Sequence, residues 1–271
     1  MMKRGCAVLA TNKSSALSRV VDEPAFVLQT FDWSETSLIV EALTQHFGRI
    51  TLVAKGAKRP SSSFRPILLP LQILKITYSG DADIKTLKSA TWGGGSVMPK
   101  GEALLSGFYL NELLLRMLAR DDPHPTLFET YAQVVDILSV QDDSVKAPAL
   151  RAFELLLLKD LGWLPDFGRQ SLTLQPLKGG EVYSWIAEVG LREQESTQLM
   201  GLSGTCWSQL HHALNDSHPL SALVRVCAEF AQQNRQSLQT QVRAVLHYHC
   251  GVSKLRTRQF MMDVQSLQAQ E

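Results

Sequence analysis

The stretch FGRITLVAKGAKRPSSSFRPILLPLQILKITYSG, residues Phe47–Gly80, decides the fold of the first part of the chain. It carries six basic residues and no acidic one, and both of its ends have the composition of β-strands. Between these ends lies AKGAKRPSSSFR, a basic loop rich in Gly, Pro and Ser. Strands on either side of a basic loop are typical of a small barrel that holds a phosphate backbone. An enzyme pocket would more often combine such bases with acids or nucleophiles.

Five segments around this stretch alternate apolar and polar residues or are rich in β-forming residues. The predicted strands are Ala25–Phe31, Ser37–Thr44, Arg49–Lys55, Leu71–Ser79 and Ile84–Ala90. Short turns with Gly, Asp or Ser separate most of them. Five short strands with hairpin spacings predict a closed or nearly closed barrel, and the OB-fold is the commonest such barrel that binds nucleic acids.

From Gly101 onwards the apolar residues follow a helical period. We predict helices over 101–121, Pro125–Gln141, Ala147–Trp163, Thr205–Leu214, Leu220–Gln233, Ser237–His249 and about Leu255 to Leu267. Residues 166–195 contain several glycines without a sustained period, which predicts an irregular insertion or a short hairpin. The prediction is therefore an α+β protein. A flexible extension (1–22) precedes a five-stranded OB-fold barrel (23–98) and a mainly α-helical domain (99–271).

The charge is divided unevenly between the two predicted domains. The first 100 residues hold 13 basic and 7 acidic residues, and the remainder holds 14 basic and 19 acidic residues. A basic first half is typical of a part that binds a polyanion. An acidic second half is typical of a part that has a structural role or binds protein partners. The 4 cysteines form no CxxC pair, so we expect no disulfide framework and a reducing cytoplasm. No apolar run reaches the length of a membrane span.

The motifs of several enzyme classes are absent from the sequence. It contains no GxxxxGK[ST] phosphate loop, no GxGxxG after a strand, no GxSxG elbow and no HExxH. A zinc site in HYHC, His247–Cys250, is disfavoured because His247 and His249 would point to different faces of a helix. We therefore expect no enzyme activity, no metal and no cofactor.

The basic residues of the predicted barrel are the main sign of binding, although solvated surface charge is the simpler interpretation of each. On the third strand, Arg49 and Lys55 share one face, and the loop cations can follow phosphates without a fixed register. Phe64 is the favoured platform for base stacking because it lies inside the loop; Phe31, Trp33 and Tyr78 are further candidates, with Phe31 also a core candidate. The predicted DNA-binding residues are Arg49, Lys55, Lys58, Arg59, Phe64, Arg65, Lys85 and Lys88.

Two arginines of the helical half, Arg116 and Arg151, are each a single cation in a leucine-rich helix. Arg151 precedes Glu154 by three residues, so one interpretation is an ion pair within the helix. The other is a cation beside an apolar groove that binds the C-terminal carboxylate of a partner peptide.

Several segments, matching in order and spacing over about residues 24–265, closely resemble the bacterial RecO family of recombination mediators. The most specific are WSETS at 33–37 and VAKGAK at 53–58. GFYLNELLLRML at 107–118, ALRAFELLLLKDLGW at 149–163 and LRTRQFMMDV at 255–264 also match. Many members of this family bind zinc through two CxxC pairs after the LGW-like motif. Asp166–Gly190 contains no cysteine, so we expect no zinc here.

The resemblance implies an OB-fold followed by a helical domain, without enzymatic turnover. It implies binding of single- and double-stranded DNA, strand annealing, and cooperation with RecR in loading RecA onto DNA coated by single-stranded DNA-binding protein (SSB). Such a protein would work in the cytoplasm at the nucleoid. Arg151 matches the family's arginine near the groove for the acidic, apolar SSB tail. We expect Arg116 to contact the same tail. Arg256 and Arg258 are candidate contacts for DNA or a partner.

Two other functions compete with this interpretation. An RNA-binding OB module of ribosome or tRNA metabolism would carry the same basic barrel, because such barrels serve RNA equally well. A hydrolase or nuclease would need a metal-binding acidic cluster or an activated nucleophile, and the sequence shows neither.

Overall fold

A computed structural model describes residues 19–95, 97–139, 142–194, 201–252, 255–257, 259–260 and 262–263. Arg258, residues 1–18 of the predicted extension and part of the predicted last helix lie outside these ranges. None of the helices within the described ranges is long and apolar enough to cross a lipid bilayer.

Five strands form a closed barrel in the order β1-β2-β3-β5-β4. They are β1 (Arg19–Asp32), β2 (Leu38–Thr44), β3 (Gly48–Ala54), β4 (Ile73–Ser79) and β5 (Ile84–Trp92). β3 and β5 pair in parallel and the other neighbours pair antiparallel, which closes the barrel. The predicted α+β fold with an N-terminal five-stranded OB-like barrel is confirmed.

β1 begins six residues before its predicted start, so residues 19–22 belong to the barrel and not to an extension. The sequence pattern does not predict this early start, because Pro24 has no N–H to donate. In the structure, Asp22 also has a positive φ of 52°, which is unusual in a strand. The register against β4 also shifts between Val20 and Glu23. The first residues of β1 are nevertheless a strand, because Arg19 pairs with Ser79 of β4 and this pairing closes the barrel.

Six helices follow within the described residues, with a small sheet between the third and fourth. The helices are α1 (Glu102–Met117), α2 (Pro125–Ser139), α3 (Asp143–Asp160), α4 (Gly204–Leu214), α5 (Pro219–Glu229) and α6 (Gln232–Cys250). The predicted insertion contains a hairpin, β6 (Val182–Ile186) and β7 (Gly190–Glu193), joined by β8 (Leu202–Ser203) in the order β7-β6-β8. α3 begins earlier than predicted because the Asp142 side chain accepts a hydrogen bond from the Ser144 N–H, at 2.9 Å.

The barrel and the helices share one hydrophobic core on one side of the barrel. Phe26 of β1 packs with its ring centroid 4.9 Å from that of Tyr131 on α2. Asn111 of α1 donates from Nδ2 to the Leu28 carbonyl of β1, at 3.0 Å. A Cβ atom on Gly107 would lie 2.4 Å from the Leu71 side chain, so α1 needs glycine at this approach. These contacts fix the barrel against the helical domain.

Candidate nucleic-acid interface

A cleft of about 400 Å³ opens where the β1–β2 turn, the end of β3 and the start of the basic loop meet. We call it the Trp33 cleft. Its lining residues are Trp33, Ser34, Thr36, Ser37, Val53, Lys55, Gly56 and Arg59. The cleft thus brings together two predicted DNA-binding cations and one aromatic candidate.

The β1–β2 turn is held by its own hydrogen bonds. The backbone N–H groups of Trp33 and Ser34 donate to the Ser37 carbonyl at 3.2 and 3.4 Å, and the Ser37 N–H donates to the Ser34 hydroxyl at 3.2 Å. This turn displays the Trp33 ring, which is 63% exposed. A large aromatic ring on a fixed turn, exposed to water, is a ready surface for stacking.

The basic loop is tied to that turn through Lys58. Its backbone N–H donates to the Thr36 carbonyl at 2.9 Å, and its Nζ lies 3.3 Å from the Ser34 carbonyl and 3.2 Å from an Asp32 carboxylate oxygen. Lys58 therefore holds the cleft together, whereas Lys55 and Arg59 are exposed cations on its wall. Gly56, with φ of 73°, makes the turn that leads from β3 into the loop.

The cleft has the chemistry of a single-stranded nucleic acid site. Two exposed cations can neutralise phosphates, and binding then releases the counterions that the nucleic acid carried. An exposed indole ring can stack on a base whatever its identity. Trp33 was one of four aromatic candidates, and the structure brings it, and not Phe64, to the cations.

The remaining predicted barrel residues differ in their surroundings. Phe64 is half-buried and packs against the inner core of the barrel, so its ring serves the fold. Lys85 lies with its Nζ 2.6 Å from Asp121 Oδ1 and is largely buried. Arg65 in the loop is exposed, and so is Lys88, at the register shift between β4 and β5. These two therefore extend the basic surface outside the cleft.

Of the two other aromatic candidates, Phe31 stays available for stacking and Tyr78 does not. Phe31 is not a core residue, since 46% of it is exposed on β1. Tyr78 is 2% exposed, and burial raises the pKa of its phenol well above the ordinary value. Tyr78 is thus inside the barrel and cannot stack on a base in this conformation.

Arg49 is engaged within the protein. Its Nη1 lies 3.1 Å from the buried Glu41 carboxylate, and its Nε donates to the Leu118 carbonyl at 3.1 Å. Glu41 also accepts from the Thr51 hydroxyl at 2.7 Å and from Arg120 Nη2 at 2.9 Å. This cluster joins β2 and β3 to the segment after α1, so Arg49 does not project freely towards DNA.

The two arginines of the helical half lie in different environments. Arg151 pairs with the buried carboxylate of Glu154, so the ion pair within the helix, one of the two interpretations of Arg151, is present. Glu154 also accepts from the Tyr109 hydroxyl at 2.7 Å. Burial, followed by the charge of Glu154, raises the pKa of Tyr109 well above its ordinary value. The Arg151 side chain is only 11% exposed, so it is more a core cation than a surface one.

Arg116 instead lines a groove of about 470 Å³ between β1, α1 and the C-terminal segment. We call it the Arg116 groove. Arg256 lines it too, and this meeting of two arginines 140 positions apart was not predicted. The full lining is Val27, Leu28, Gln29, Thr30, Pro70, Phe108, Asn111, Glu112, Leu115, Arg116, Arg256 and Thr257. Among the described residues, no group of three His, Cys, Asp or Glu side chains is placed to hold a metal ion.

Comparisons with known proteins agree with this architecture. A family model described as Recombination protein O N terminal matches residues 19–94, and one described as Recombination protein O C terminal matches residues 98–259. Their boundary falls in the segment between the barrel and α1.

Curated relatives are similar over nearly the whole chain. DNA repair protein RecO of Polaromonas sp. (strain JS666) is 54% identical over 252 residues, which cover 93% of this chain and 100% of the relative. The protein of the same name from Albidiferax ferrireducens is 55% identical over 252 residues, covering 93% of this chain and 99% of the relative. That of Variovorax paradoxus is 54% identical over 257 residues, with coverage of 93% and 100%. The chain therefore belongs to the RecO family of DNA repair proteins.

Proposed function

We propose that this protein is a recombination mediator in DNA repair, without enzymatic turnover. It binds single- and double-stranded DNA, anneals complementary strands, and acts with RecR to help load RecA onto SSB-coated DNA in the cytoplasm, at the nucleoid. The observation that carries the DNA-binding part is the Trp33 cleft, where Lys55 and Arg59 stand beside an exposed indole ring. Membership of the family supports the pathway.

The barrel acts on DNA by electrostatics and stacking. Lys55 and Arg59 neutralise successive phosphates of one strand, while a base of that strand stacks on Trp33. Arg65 and Lys88, exposed outside the cleft, offer cations to a second strand. Neutralising two strands at once lowers their mutual repulsion, so complementary strands can anneal without ATP.

The helical half recruits the barrel to coated DNA. The acidic, apolar C-terminal tail of SSB is its partner, and Arg116 and Arg151 are the predicted tail-binding cations. Each is paired with a carboxylate of its own helix, Arg116 with Glu112 and Arg151 with Glu154, so each must share or leave its ion pair to meet a tail carboxylate. Arg116 is the more exposed of the two. RecA is an indirect partner, because this protein acts on RecA only by clearing the DNA onto which RecA is loaded.

The DNA-binding part is tested by fluorescence anisotropy with an oligo-dT strand over a series of salt concentrations. In the variant Lys55→Gln/Arg59→Gln, the slope of log K against log salt should become shallower by about 1.4, since each phosphate contact contributes about 0.7. Trp33→Ala should weaken binding by about 1–3 kcal/mol with an unchanged slope, because stacking is uncharged. Arg192→Gln on the exposed face of β7 is the control, and its binding should match that of the wild type.

Wild-type slope and affinity in the Lys55→Gln/Arg59→Gln variant would remove the Trp33 cleft from the DNA site. Tighter binding to a structured RNA than to oligo-dT at equal salt would instead favour a role in RNA metabolism.

A further inference from the structure

One edge of β1 is open beside the Arg116 groove. β1 pairs with β4 only from Arg19 to Phe26, and Val27 makes an isolated bridge to Pro70. From Gln29 to Asp32, β2 is the only strand partner of β1 in the described part of the chain. In an antiparallel ladder, alternate backbone N–H and C=O groups of such a stretch point away from the partner strand. An unpaired edge of this kind is a template for another strand.

The groove beside this edge combines an apolar floor with two cations. Phe108 and Leu115 of α1 are half-buried and face the groove with Pro70, while Arg116 and Arg256 are exposed at its side. Its single acidic lining residue is Glu112. A ligand that fits must therefore offer apolar groups together with negative charge.

Glu112 fixes both arginines in place. Its Oε1 atom accepts from Arg116 Nε and from the Arg256 backbone N–H, each at 3.0 Å. Its Oε2 atom accepts from the Thr257 backbone N–H at 2.9 Å and from the Thr257 hydroxyl at 2.6 Å. Because these four donors use the carboxylate of Glu112, its negative charge is offset and the side chain has little capacity left to repel an acidic ligand. The Arg116 guanidinium and the backbone of Arg256 are thereby held beside the groove before any ligand arrives.

We propose that the Arg116 groove is a docking site for an extended peptide segment of a protein partner. The segment adds as a strand to the open edge of β1 at Gln29–Asp32, places apolar side chains against Phe108 and Leu115, and presents carboxylates to Arg116 and Arg256. The alternate backbone donors and acceptors along the edge match those of a peptide backbone, which a nucleic acid strand does not provide. The site does not involve Arg151, but it shares Arg116 with the proposed SSB-tail contacts and in that respect rests on the proposed function. It adjoins the Trp33 cleft at Asp32, whose carboxylate lies 3.2 Å from Lys58 Nζ.

The probe is an acetylated octapeptide that alternates valine and glutamate and ends in a free carboxylate. We expect saturable binding with a Kd below about 1 mM. Hydrogen exchange at the backbone amides of residues 29–32 should slow when the peptide is bound, because strand addition hydrogen-bonds the edge. The same peptide with N-methyl groups on alternate residues should bind at least about tenfold more weakly.

The variant Arg116→Gln/Arg256→Gln should also weaken binding at least about tenfold, whereas the control Arg192→Gln should bind the peptide like the wild type. Unchanged hydrogen exchange of distant core amides would show that the double variant is folded. Absence of binding, or binding without protection of residues 29–32, would overturn the proposal. Protection of these amides by oligo-dT, but not by the peptide, would make the groove a nucleic acid site and also overturn it.

An SSB tail peptide in a parallel titration separates this inference from the proposed function. Tail binding that survives Arg116→Gln/Arg256→Gln, with no protection of residues 29–32, would remove Arg116 from the tail site but leave recruitment through the SSB tail intact. A wild-type protein that binds the tail peptide but not the octapeptide would therefore count against this inference alone.

Discussion

Arg49 and Arg59, ten positions apart, show how burial divides structural cations from binding cations. Arg49 lies 3.1 Å from a Glu41 oxygen that is screened from water, and its Nε bonds the Leu118 carbonyl. Arg59 is exposed on the wall of the Trp33 cleft. The sequence places Arg49 on a strand and Arg59 in a loop, but the buried partner that makes Arg49 a structural cation is supplied only by the fold.

The first prediction compares these two arginines. Arg49→Gln should lower the free energy of unfolding by about 2 kcal/mol, because Glu41 loses one of its charged donors in a buried site. Its affinity for DNA and its salt slope should stay at wild-type values. Arg59→Gln should leave stability within about 0.5 kcal/mol and weaken DNA binding. Urea denaturation measures the stability of each variant, and fluorescence anisotropy measures its DNA binding. The reverse pattern would refute our assignment of Arg49 as a structural cation.

The second prediction concerns the buried pair of Arg151 and Glu154. Arg151→Leu should cost about 3 kcal/mol of unfolding free energy, because it leaves the Glu154 carboxylate buried without its cation. Adding Glu154→Gln should restore most of this loss, since the amide can still accept from Tyr109. Thermal or urea unfolding of the single and double variants measures both effects.

The double variant then provides a folded protein without the Arg151 cation. If Arg151 contacts the SSB tail, the tail peptide should bind this variant at least about tenfold more weakly than the wild type. Equal tail affinity in the two proteins would remove Arg151 from the tail site.

At the scale of single residues, sequence reasoning identified part of the candidate site. Lys55 and Arg59 could be predicted because a basic, glycine-containing loop between strands must be solvent-accessible. The pairing of Arg49 with Glu41 could not, since it depends on how β2 and β3 are registered. The packing of the half-buried Phe64 against the barrel core could not be predicted either, because it depends on the loop folding back over the barrel.

At the scale of elements, strands with regular alternation were predictable and irregular ones were not. β2, β3 and β4 lie within two residues of their predicted bounds. The first residues of β1 escaped prediction because Asp22 and Pro24 are poor strand formers, and only pairing with β4 makes them a strand. The start of α6 at Gln232 was also not predicted, because the first turn of this helix is polar and exposed and shows no apolar period.

The third prediction tests the contact between the β2–β3 turn and the segment after α1. Gly48 has φ of 68°, and a Cβ atom there would lie 1.9 Å from the Asp122 carbonyl oxygen. Gly162 has a similar φ of 73°, but a Cβ atom there would have no neighbouring atom within 4 Å. Gly162→Ala should therefore cost about 1 kcal/mol, and Gly48→Ala about 1–3 kcal/mol more. Equal destabilisation in urea would show that the barrel is not packed closely against this segment.

The fourth prediction concerns the attachment of the C-terminal segment to α1. Burial alone would raise the pKa of Glu112, but hydrogen bonds from Thr257, Arg256 and Arg116 outweigh it and lower the pKa below the ordinary value of 4.5. A lowered pKa in the folded state stabilises the attachment at pH values above 4.5, and this stabilisation is lost as the pH falls through the lowered pKa.

The amide proton of Thr257 reports this titration directly by NMR. Its chemical shift should change with a midpoint below pH 4.5, and Glu112→Gln should abolish that change. A midpoint at or above 4.5 would contradict the hydrogen bonds assigned to Glu112.

In the whole molecule, the basic first 100 residues supply the barrel and the more acidic remainder supplies the helical domain. The barrel carries the Trp33 cleft, and the Arg116 groove lies where β1 of the barrel meets α1 and the C-terminal segment. The shared core around Phe26 and the Glu41 cluster hold the two parts in a fixed relation. A partner docked on the helical half would therefore deliver its bound DNA to the barrel at a defined distance.

The measurement that tests the central claim most directly is annealing of complementary oligonucleotides precoated with cognate SSB. It compares full-length SSB with SSB that lacks its C-terminal tail. We expect rapid annealing with full-length SSB, and much slower annealing with the tail-deleted form or with Lys55→Gln/Arg59→Gln. Absence of annealing on both coated and bare DNA would contradict the assignment of this protein as a recombination mediator.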